Sequence, residues 1–372
     1  MKNKLRVGIL FGGKSAEHEV ALQSAKNIIE AIDKTKYEVA LIGIDKQGQW
    51  HLQDSAMFLL NPDNPGAIAL NVGADSDALA VIPGPHARQA ISLSQKQAMA
   101  PVDVIFPVLH GPFGEDGTIQ GLLKLMDVPF VGAGVLGSAV GMDKDVMKRL
   151  LQAAGVPIAR FVVFDYANRD AIAFDNVVAA VGLPCFVKPA NLGSSVGISK
   201  VRDAAEFEQA IETAFRYDVK ILIEEAIAGR EIECSVLGNA NPIASVPGEI
   251  ITDTTRHEFY SYEAKYLDEH GAALQIPADL PAQIVKGVQA LSVKAFEVLC
   301  CEGMARVDCF LTPDSRILIN EINTIPGFTR ISMYPKLWEA SGIAYPELID
   351  RLIQLALERY EREKKLVTSW KE

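Results

Sequence analysis

The chain has 372 residues, 49% of them hydrophobic and 22% charged, a composition normal for a soluble globular enzyme of two or three domains. A formal net charge of −11 argues against general binding to nucleic acid or to anionic membranes, yet leaves room for a local positive pocket. No run approaches the ~18 apolar residues of a membrane span, and the stretch from Val7 to Phe11 is too short for a signal-peptide core.

Residues 6–11 read as a short apolar strand, Gly12-Gly13-Lys14-Ser15-Ala16 as a tight loop, 17–33 as a helix and 37–45 as the next strand. This β-loop-α-β order predicts a parallel sheet with ligands at the carboxyl ends of its strands. Residues 53–100 are rich in Ala, Gly, Pro and Asp with weak periodicity, and read as an irregular surface excursion. Residues 103–109 form another buried strand, running into His110-Gly111-Pro112-Phe113-Gly114-Glu115-Asp116-Gly117. A second unit begins near Gly134, with a helix over 143–154 stopped by Gly155 and Pro157, strands at 161–164, 185–188 and 220–224, and a helical segment near 203–216. A third unit holds a strand at 232–238, a polar loop near 252–270, a helix near 281–300 and an amphipathic helix over 346–365. The buried stripe of that last helix is Ile349, Leu352, Ile353, Ala356 and Tyr360. The expected division is 1–135, 136–225 and 226–372. Cys185, Cys234, Cys300, Cys301 and Cys309 lie mostly in apolar runs without metal-binding spacing, so reduced buried thiols in a cytoplasmic protein are expected. The histidines include no i, i+4 pair, which argues against zinc.

Chemistry concentrates in residues 306–333. Apolar runs at 307–311 and 317–322 flank Thr312-Pro313-Asp314-Ser315, which reads as a β-hairpin. Alternation puts Arg306 and Asp308 on one face, and Glu321 and Asn323 on one face of the partner strand. Two carboxylates and an amide oxygen make an all-oxygen site suited to Mg²⁺, with phosphate oxygens completing its shell. The competing reading is an ordinary solvent face with Arg306 as ion-pair partner. The Asn323-Thr324-Ile325-Pro326-Gly327 loop and the signals upstream weigh against it. Lys188 ends a strand and is followed by Gly193-Ser194-Ser195-Val196-Gly197, a cation and free backbone N–H groups able to close over a triphosphate. It is not a Walker A loop, since the Gly-Lys-Ser/Thr helix start is absent; a bare flexible turn is the alternative. Lys144 starts a helix, where the dipole disfavours a cation unless an anion is also bound. Residues 221–231 form a buried strand turning into a linker, where backbone groups can read an adenine edge and Glu231 can accept ribose hydroxyls; acidic residues after a strand are common in any fold.

Together these pieces resemble the ATP-grasp superfamily, and more closely the D-alanine–D-alanine ligase family in its longer A-type form. The resemblance runs essentially the full chain. It is carried by Gly12-Gly13-Lys14-Ser15-Ala16-Glu17-His18-Glu19-Val20, the His110 to Gly117 loop, Met142-Asp143-Lys144, residues 193–197, Tyr262-Glu263-Ala264-Lys265-Tyr266 and the hairpin. Pro112-Phe113 departs from the small residues usual in the His110 loop. The resemblance implies an α/β protein, α+β in its ATP-binding half: an N-terminal Rossmann-like parallel-sheet domain plus a two-unit ATP-grasp fold. It implies that ATP phosphorylates one D-alanine carboxylate and that the amine of a second D-alanine attacks the acyl phosphate, supplying peptidoglycan precursors. Asp308, Glu321 and Asn323 would hold two Mg²⁺ ions, with Mn²⁺ able to substitute. Lys144, Lys188 and Lys265, with Ser194 and Ser195, would hold the phosphates, and Glu224, Glu225, Ile227 and Glu231 the adenine and ribose. Glu17 and His110 would take the first D-alanine, with Glu17, Ser194 and Tyr266 forming a hydrogen-bonded triad. Arg306 and the N–H of Gly327 would form the oxyanion site, and Ser332 with the N–H of Met333 would bind the second D-alanine. Tyr266 implies D-alanine rather than D-lactate as acceptor. The expected partners are these small molecules and a second copy of the chain, with no nucleic acid and no membrane. The rivals are a D-alanine–D-lactate-type or other carboxylate–amine ligase, a phosphotransferase that stops at the acyl phosphate, and a catalytically silent nucleotide-binding protein.

Overall fold

The computed structural model describes residues 4–53, 58–72, 77–84, 89–252, 272–367 and 369–370. Strand β1 (Leu5–Gly12) leads through a glycine loop to the helix His18–Ala31, and β2 (Tyr37–Ile44) returns parallel to β1 with Val7 opposite Val39. Both faces of β1 are covered, so Val7, Ile9, Leu10 and Phe11 are all buried, as expected of a parallel strand rather than an alternating one. The helix buries Ala21, Leu22, Ala25 and Ile28 at helical spacing.

Residues 53–100 are not simply irregular. After β3 (Trp50–Gln53) come β4 (Leu59–Leu60), β5 (Ala69–Leu70), β6 (Asp77–Val81), β7 (Ala90–Ser92) and β8 (Gln97–Ala98). β3, β6, β7 and β8 extend the first sheet by antiparallel pairing, and β9 (Val104–Val108) lies parallel to β1 at its other edge, in the order β8-β7-β6-β3-β2-β1-β9. The sheet is therefore parallel only at the end formed by β2, β1 and β9. Strands as short as the two residues of β4 are too brief for a period-two pattern to show in the sequence.

Helices Thr118–Leu125, Val135–Met142 and Lys144–Ala153 lead to a second, antiparallel sheet of β10 (Phe161–Asp165), β11 (Cys185–Pro189), β12 (Ser199–Val201) and β13 (Lys220–Glu225), in the order β10-β13-β11-β12. Helices Phe174–Val181 and Ala204–Phe215 cover one face over Cys185, Val187, Ile221 and Ile223. Alternation leaves Phe186, Lys188 and Glu224 on the other face. The third sheet contains β14 (Arg230–Gly238), β15 (Ile243–Ala244), β16 (Gly248–Thr252), β17 (Ala272–Gln275), β18 (Gly303–Leu311) and β19 (Ile317–Asn323). Its order is β17-β16-β14-β18-β19 with β15 beside β14, and β18–β19 is the hairpin expected from the sequence. Cys185, Cys234, Cys301 and Cys309 are buried free thiols as expected, whereas Cys300 is exposed.

One apolar cluster joins the first sheet, through Val7, Phe106 and Val108, to Met304 of β18, to Phe328, Tyr334 and Trp338, and to the C-terminal helix Tyr345–Glu363. The second sheet has a cluster of its own. In the C-terminal helix Ile349, Leu352, Ile353 and Ala356 are buried as the periodicity predicts, but the stripe continues at Arg359, and Tyr360 is only half-buried. Arg359 is 5% exposed and donates to the carbonyls of Phe130 (2.7 Å) and Gly132 (2.5 Å). Its guanidinium also lies 4.4 Å from the Phe130 ring centroid. These bonds fix the chain where it leaves the first sheet. Arg359→Met keeps the apolar stem but strands two buried carbonyls, and is expected to lower stability by about 2–4 kcal/mol in denaturant melts.

Candidate active site

At the end of β1, Gly12 has φ +91° and a Cβ there would lie 2.3 Å from the Ile44 carbonyl oxygen, so only glycine makes this turn. The loop is then tied down locally. Ser15 Oγ donates to the His110 carbonyl (2.7 Å) and accepts the Glu17 N–H (3.1 Å), and His18 Nδ1 donates to the Gly13 carbonyl (2.8 Å). Glu17 is thereby set at the N-terminus of its helix, where a carboxylate is electrostatically favoured. It accepts a hydrogen bond from Ser194 Oγ, a pairing that the family resemblance implies. Ser194 and Ser195 both have left-handed backbones, φ +52° and +59°. A side chain at Gly111 would put its Cβ 2.8 Å from Glu17 Oε2. Lys265 and Tyr266 lie outside the described residues.

In the hairpin, Asp308 stands directly opposite Glu321 and Arg306 opposite Asn323, so all four share one face. Arg306 grips Asp308 bidentately, with Nε and Nη2 each 2.7 Å from a carboxylate oxygen. On the neighbouring β14, Glu233 pairs in register with Asp308, and its Oε2 lies 3.0 Å from Arg306 Nε. Glu233 was not singled out in the sequence; the available signal was a carboxylate interrupting a buried run. Lys144, the first residue of its helix, donates to the Leu192 carbonyl and sits 3.7 Å from Glu321 Oε2. The Asn323 side-chain oxygen is buried without a hydrogen-bond partner. Among the described residues no group of three His, Cys, Asp or Glu side chains is placed to hold a metal ion by itself. Two carboxylates and an orphaned amide oxygen fit a hard divalent cation.

After β19 the chain forms a loop held by the N-terminal unit. His110 Nδ1 donates to the Ile325 carbonyl (2.9 Å), so its Nε2 is the acceptor, 3.2 Å from Ser24 Oγ. Ser24 Oγ in turn accepts the Phe328 N–H (3.1 Å). Both ring nitrogens of His110 are thus engaged, and burial pushes its pKa below the usual histidine value, keeping the ring neutral. Gly327 is pressed against Ser332, whose Oγ would meet a Cβ at 2.7 Å. Ser332 Oγ accepts the Thr329 N–H (2.9 Å), lies 2.8 Å from Thr329 Oγ1, and precedes the helix Met333–Ala340. Glu17, His110, Lys144, Ser194, Arg306, Glu321, Asn323, Gly327, Ser332 and Met333 line one cleft, together with Glu115 and Glu233.

The second sheet contributes a separate cluster. Glu224 is buried between Lys188, which donates to Oε1, and Lys148, whose Nζ is 2.9 Å from Oε2. Burial alone would raise the Glu224 carboxyl, but the two ammonium groups outweigh it and hold its pKa at about 2. Its neighbour Glu225 is bound by Arg160, accepting from the backbone N–H and from Nε, both at 2.8 Å. Ile227 is half-buried in the link between β13 and β14, and Glu231 half-buried on β14. Lys148 was missed because a lysine in a helix reads as solvated.

Family models described as D-ala D-ala ligase N-terminus and D-ala D-ala ligase C-terminus match residues 6–133 and 150–354. A D-alanine–D-alanine ligase of Shouchella clausii is 56% identical over 366 residues, 98% of each chain. The solved D-alanine-D-alanine ligase of Coxiella burnetii superposes with a TM-score of 0.85 at 40% identity, covering 97% of this chain and 96% of its own. The VanG D-Ala:D-Ser ligase of Enterococcus faecalis does so with a TM-score of 0.84 at 34% identity, covering 95% and 100%.

Glu115 is the further residue that ties this cleft together. Its Oε2 accepts the Gly111 N–H (2.8 Å) and its Oε1 the Ile325 N–H (3.0 Å), stapling the His110 loop to the segment that carries Gly327. Burial, then the nearby Glu17 charge, push its carboxyl from 4.5 up to about 8. Between those values the folded protein holds a proton that the unfolded chain has released, so this group's contribution to stability is lost as pH rises through about 8. Glu115→Gln gives up one backbone hydrogen bond, about 1–3 kcal/mol, but does not titrate. In thermal melts its deficit relative to wild type is expected to be largest in acid, to shrink as pH rises from 4.5 to about 8, and to stay constant above that; a deficit independent of pH would contradict the raised carboxyl.

Proposed function

This chain belongs to the D-alanine–D-alanine ligase family, and from that premise we propose how its own residues carry the ATP-dependent joining of two D-alanines. The observation that carries the reading is the Ser194–Glu17 hydrogen bond, which closes the loop after Lys188 onto the N-terminal helix above Arg306 and Gly327. A free carboxylate does not condense with an amine in water, so activation is required. The first D-alanine binds with its ammonium at Glu17. One of its carboxylate oxygens attacks the γ-phosphorus of ATP, the bond to the bridging oxygen breaks, and ADP leaves. In-line transfer of this kind needs charge neutralisation and positioning rather than covalent help. Lys144, Lys188 and Lys265 receive the phosphate oxygens, with Ser194 and Ser195 closing over them. Glu224, Ile227 and Glu231 seat the adenine and ribose, while Glu225, held by Arg160, keeps the linker in place. Asp308, Glu321 and Asn323 would hold Mg²⁺ or Mn²⁺, which when bound supplies charge neutralisation to the transferring phosphoryl group.

The free amine of the second D-alanine then attacks the acyl carbon. Arg306 and the Gly327 N–H stabilise the oxyanion, phosphate departs, and the nitrogen loses a proton as the peptide bond forms. The second carboxylate is held by the Met333 N–H and by Ser332, whose hydroxyl can donate when Thr329 Oγ1 supplies the proton between the two oxygens. His110 and Glu115 act through the loop they anchor. Closure of the Ser194 loop keeps water from the acyl phosphate. Three units, 1–135, 136–225 and 226–372, divide these tasks. Cytoplasmic peptidoglycan precursor synthesis by a homodimer completes the proposal; among the described residues no helix is long and apolar enough to cross a membrane.

A D-Ala:D-Ser ligase shares this fold, so the acceptor is decided by pocket residues rather than by architecture. With D-alanine and D-lactate offered together near neutral pH, D-alanine-dependent ADP release should accompany D-alanyl-D-alanine in mass analysis. Depsipeptide as the main product would overturn the acceptor assignment, and accumulated acyl phosphate would point to a phosphotransferase. Arg306→Met is expected to lower kcat by about 10²–10³-fold. Glu321→Ala is expected to abolish turnover, and full activity there would remove the metal assignment.

A further inference from the structure

Lys188 is the lysine at the strand end that the nucleotide reading sends to a phosphate, yet here it donates to Glu224. If it leaves, Glu224, which is 2% exposed, becomes a buried carboxylate in need of another partner. Breaking a buried ion pair by removing one side is far more costly than never having made it. Lys148 supplies that partner. It lies one turn beyond Lys144 on the helix Lys144–Ala153, is 1% exposed, and approaches the other carboxylate oxygen at 2.9 Å. The Phe161 ring, with its centroid 6.0 Å away, flanks its ammonium. Lys148 is not among the residues lining the cleft and is too deeply enclosed to reach a ligand itself. Two ammonium groups around one carboxylate leave one positive charge in surplus, which an arriving phosphate neutralises.

We propose that Lys148 is a positioning residue of the nucleotide site: it is the permanent counter-ion of Glu224, and by holding that carboxylate it releases Lys188 to a nucleotide phosphate. The inference rests on the nucleotide reading above. In Lys148→Met the Lys188–Glu224 pair remains one to one, so the fold is kept, but Lys188 can serve a phosphate only by abandoning a buried anion. Nucleotide binding should weaken, while D-alanine binding is untouched.

The test is calorimetric titration of the full-length protein with ADP and Mg²⁺, in wild type, Lys148→Met, Glu224→Gln and the double variant, with KM and kcat for ATP and D-alanine alongside. Lys148→Met is expected to weaken ADP binding about tenfold or more and to raise KM for ATP in step, with KM for D-alanine unchanged within about twofold. On the Glu224→Gln background, where a neutral amide needs no counter-ion, the same substitution should cost less than about twofold. Equal losses on both backgrounds, or no loss on either, overturn the role of Lys148. If Lys148→Met alone fails to fold, recovery in the double variant assigns the failure to the Glu224 charge, and a double variant that also fails overturns the proposal. Wild type that does not bind ADP would overturn the nucleotide reading itself, and this inference with it.

Discussion

The chain at Ile325 is gripped from the N-terminal unit on both sides: its N–H by the Glu115 carboxyl group and its carbonyl by the His110 imidazole. Ser24 extends the grip to the Phe328 N–H, and the Phe328 side chain sinks into the apolar cluster shared with Phe106 and Tyr334. Everything from Gly327 to Met333, the segment proposed to meet the oxyanion and the second D-alanine, hangs from this joint. A loop that must present backbone N–H groups to a developing charge cannot be left to fluctuate, since a preorganised dipole stabilises charge only where it is already aimed. The neutral state of His110 follows from the same arrangement, because a buried imidazolium would have nothing to offer the hydrogen bond coming from Ser24.

Charges in and behind the cleft form a set of latches. Arg306 is held by Asp308 with Glu233 beside it, and Glu224 by Lys188 with Lys148 beside it. In each case the group assigned to chemistry has one partner that a ligand would displace and a second that would stay. Buried charges tolerate such exchange only if no intermediate arrangement leaves one uncompensated. The second sheet has its own apolar cluster, whereas the first and third share one. A separate core is the physical condition for the second sheet to move as a body.

Much of the site was legible in the sequence because it obeys local rules. Arg306, Asp308, Glu321 and Asn323 were placed on one face by the period of two, and the ladder register agrees. The glycine turn and helix start placed Glu17 only as a helix-terminal charge, and its place in the site came from the family resemblance. Other parts were not legible. The strands within 53–100 are too short for a pattern, and Glu224 and Glu225 are adjacent acids whose roles diverge only because one meets two lysines and the other meets Arg160. Lys148 carries no signal of type or spacing that separates it from an ordinary polar residue, Glu233 shows only as a carboxylate interrupting a buried run, and Glu115 only as part of a loop motif whose grip on Ile325 no local pattern gives.

The sequence by itself determined the order of elements, the polar face of the hairpin, the glycine positions that only a left-handed turn allows, and the family. These depend on backbone geometry over a few residues. Tertiary structure alone decided which charges pair, that His110 serves as an anchor with both nitrogens engaged, and that Arg359 rather than Tyr360 continues the C-terminal stripe. The physical reason is distance along the chain: Glu115 and Ile325 are 210 residues apart, and Arg359 and Gly132 are 227. No local periodicity encodes such a contact. It is fixed only when the sheets pack and a buried polar group must find whatever partner the packing has brought within reach.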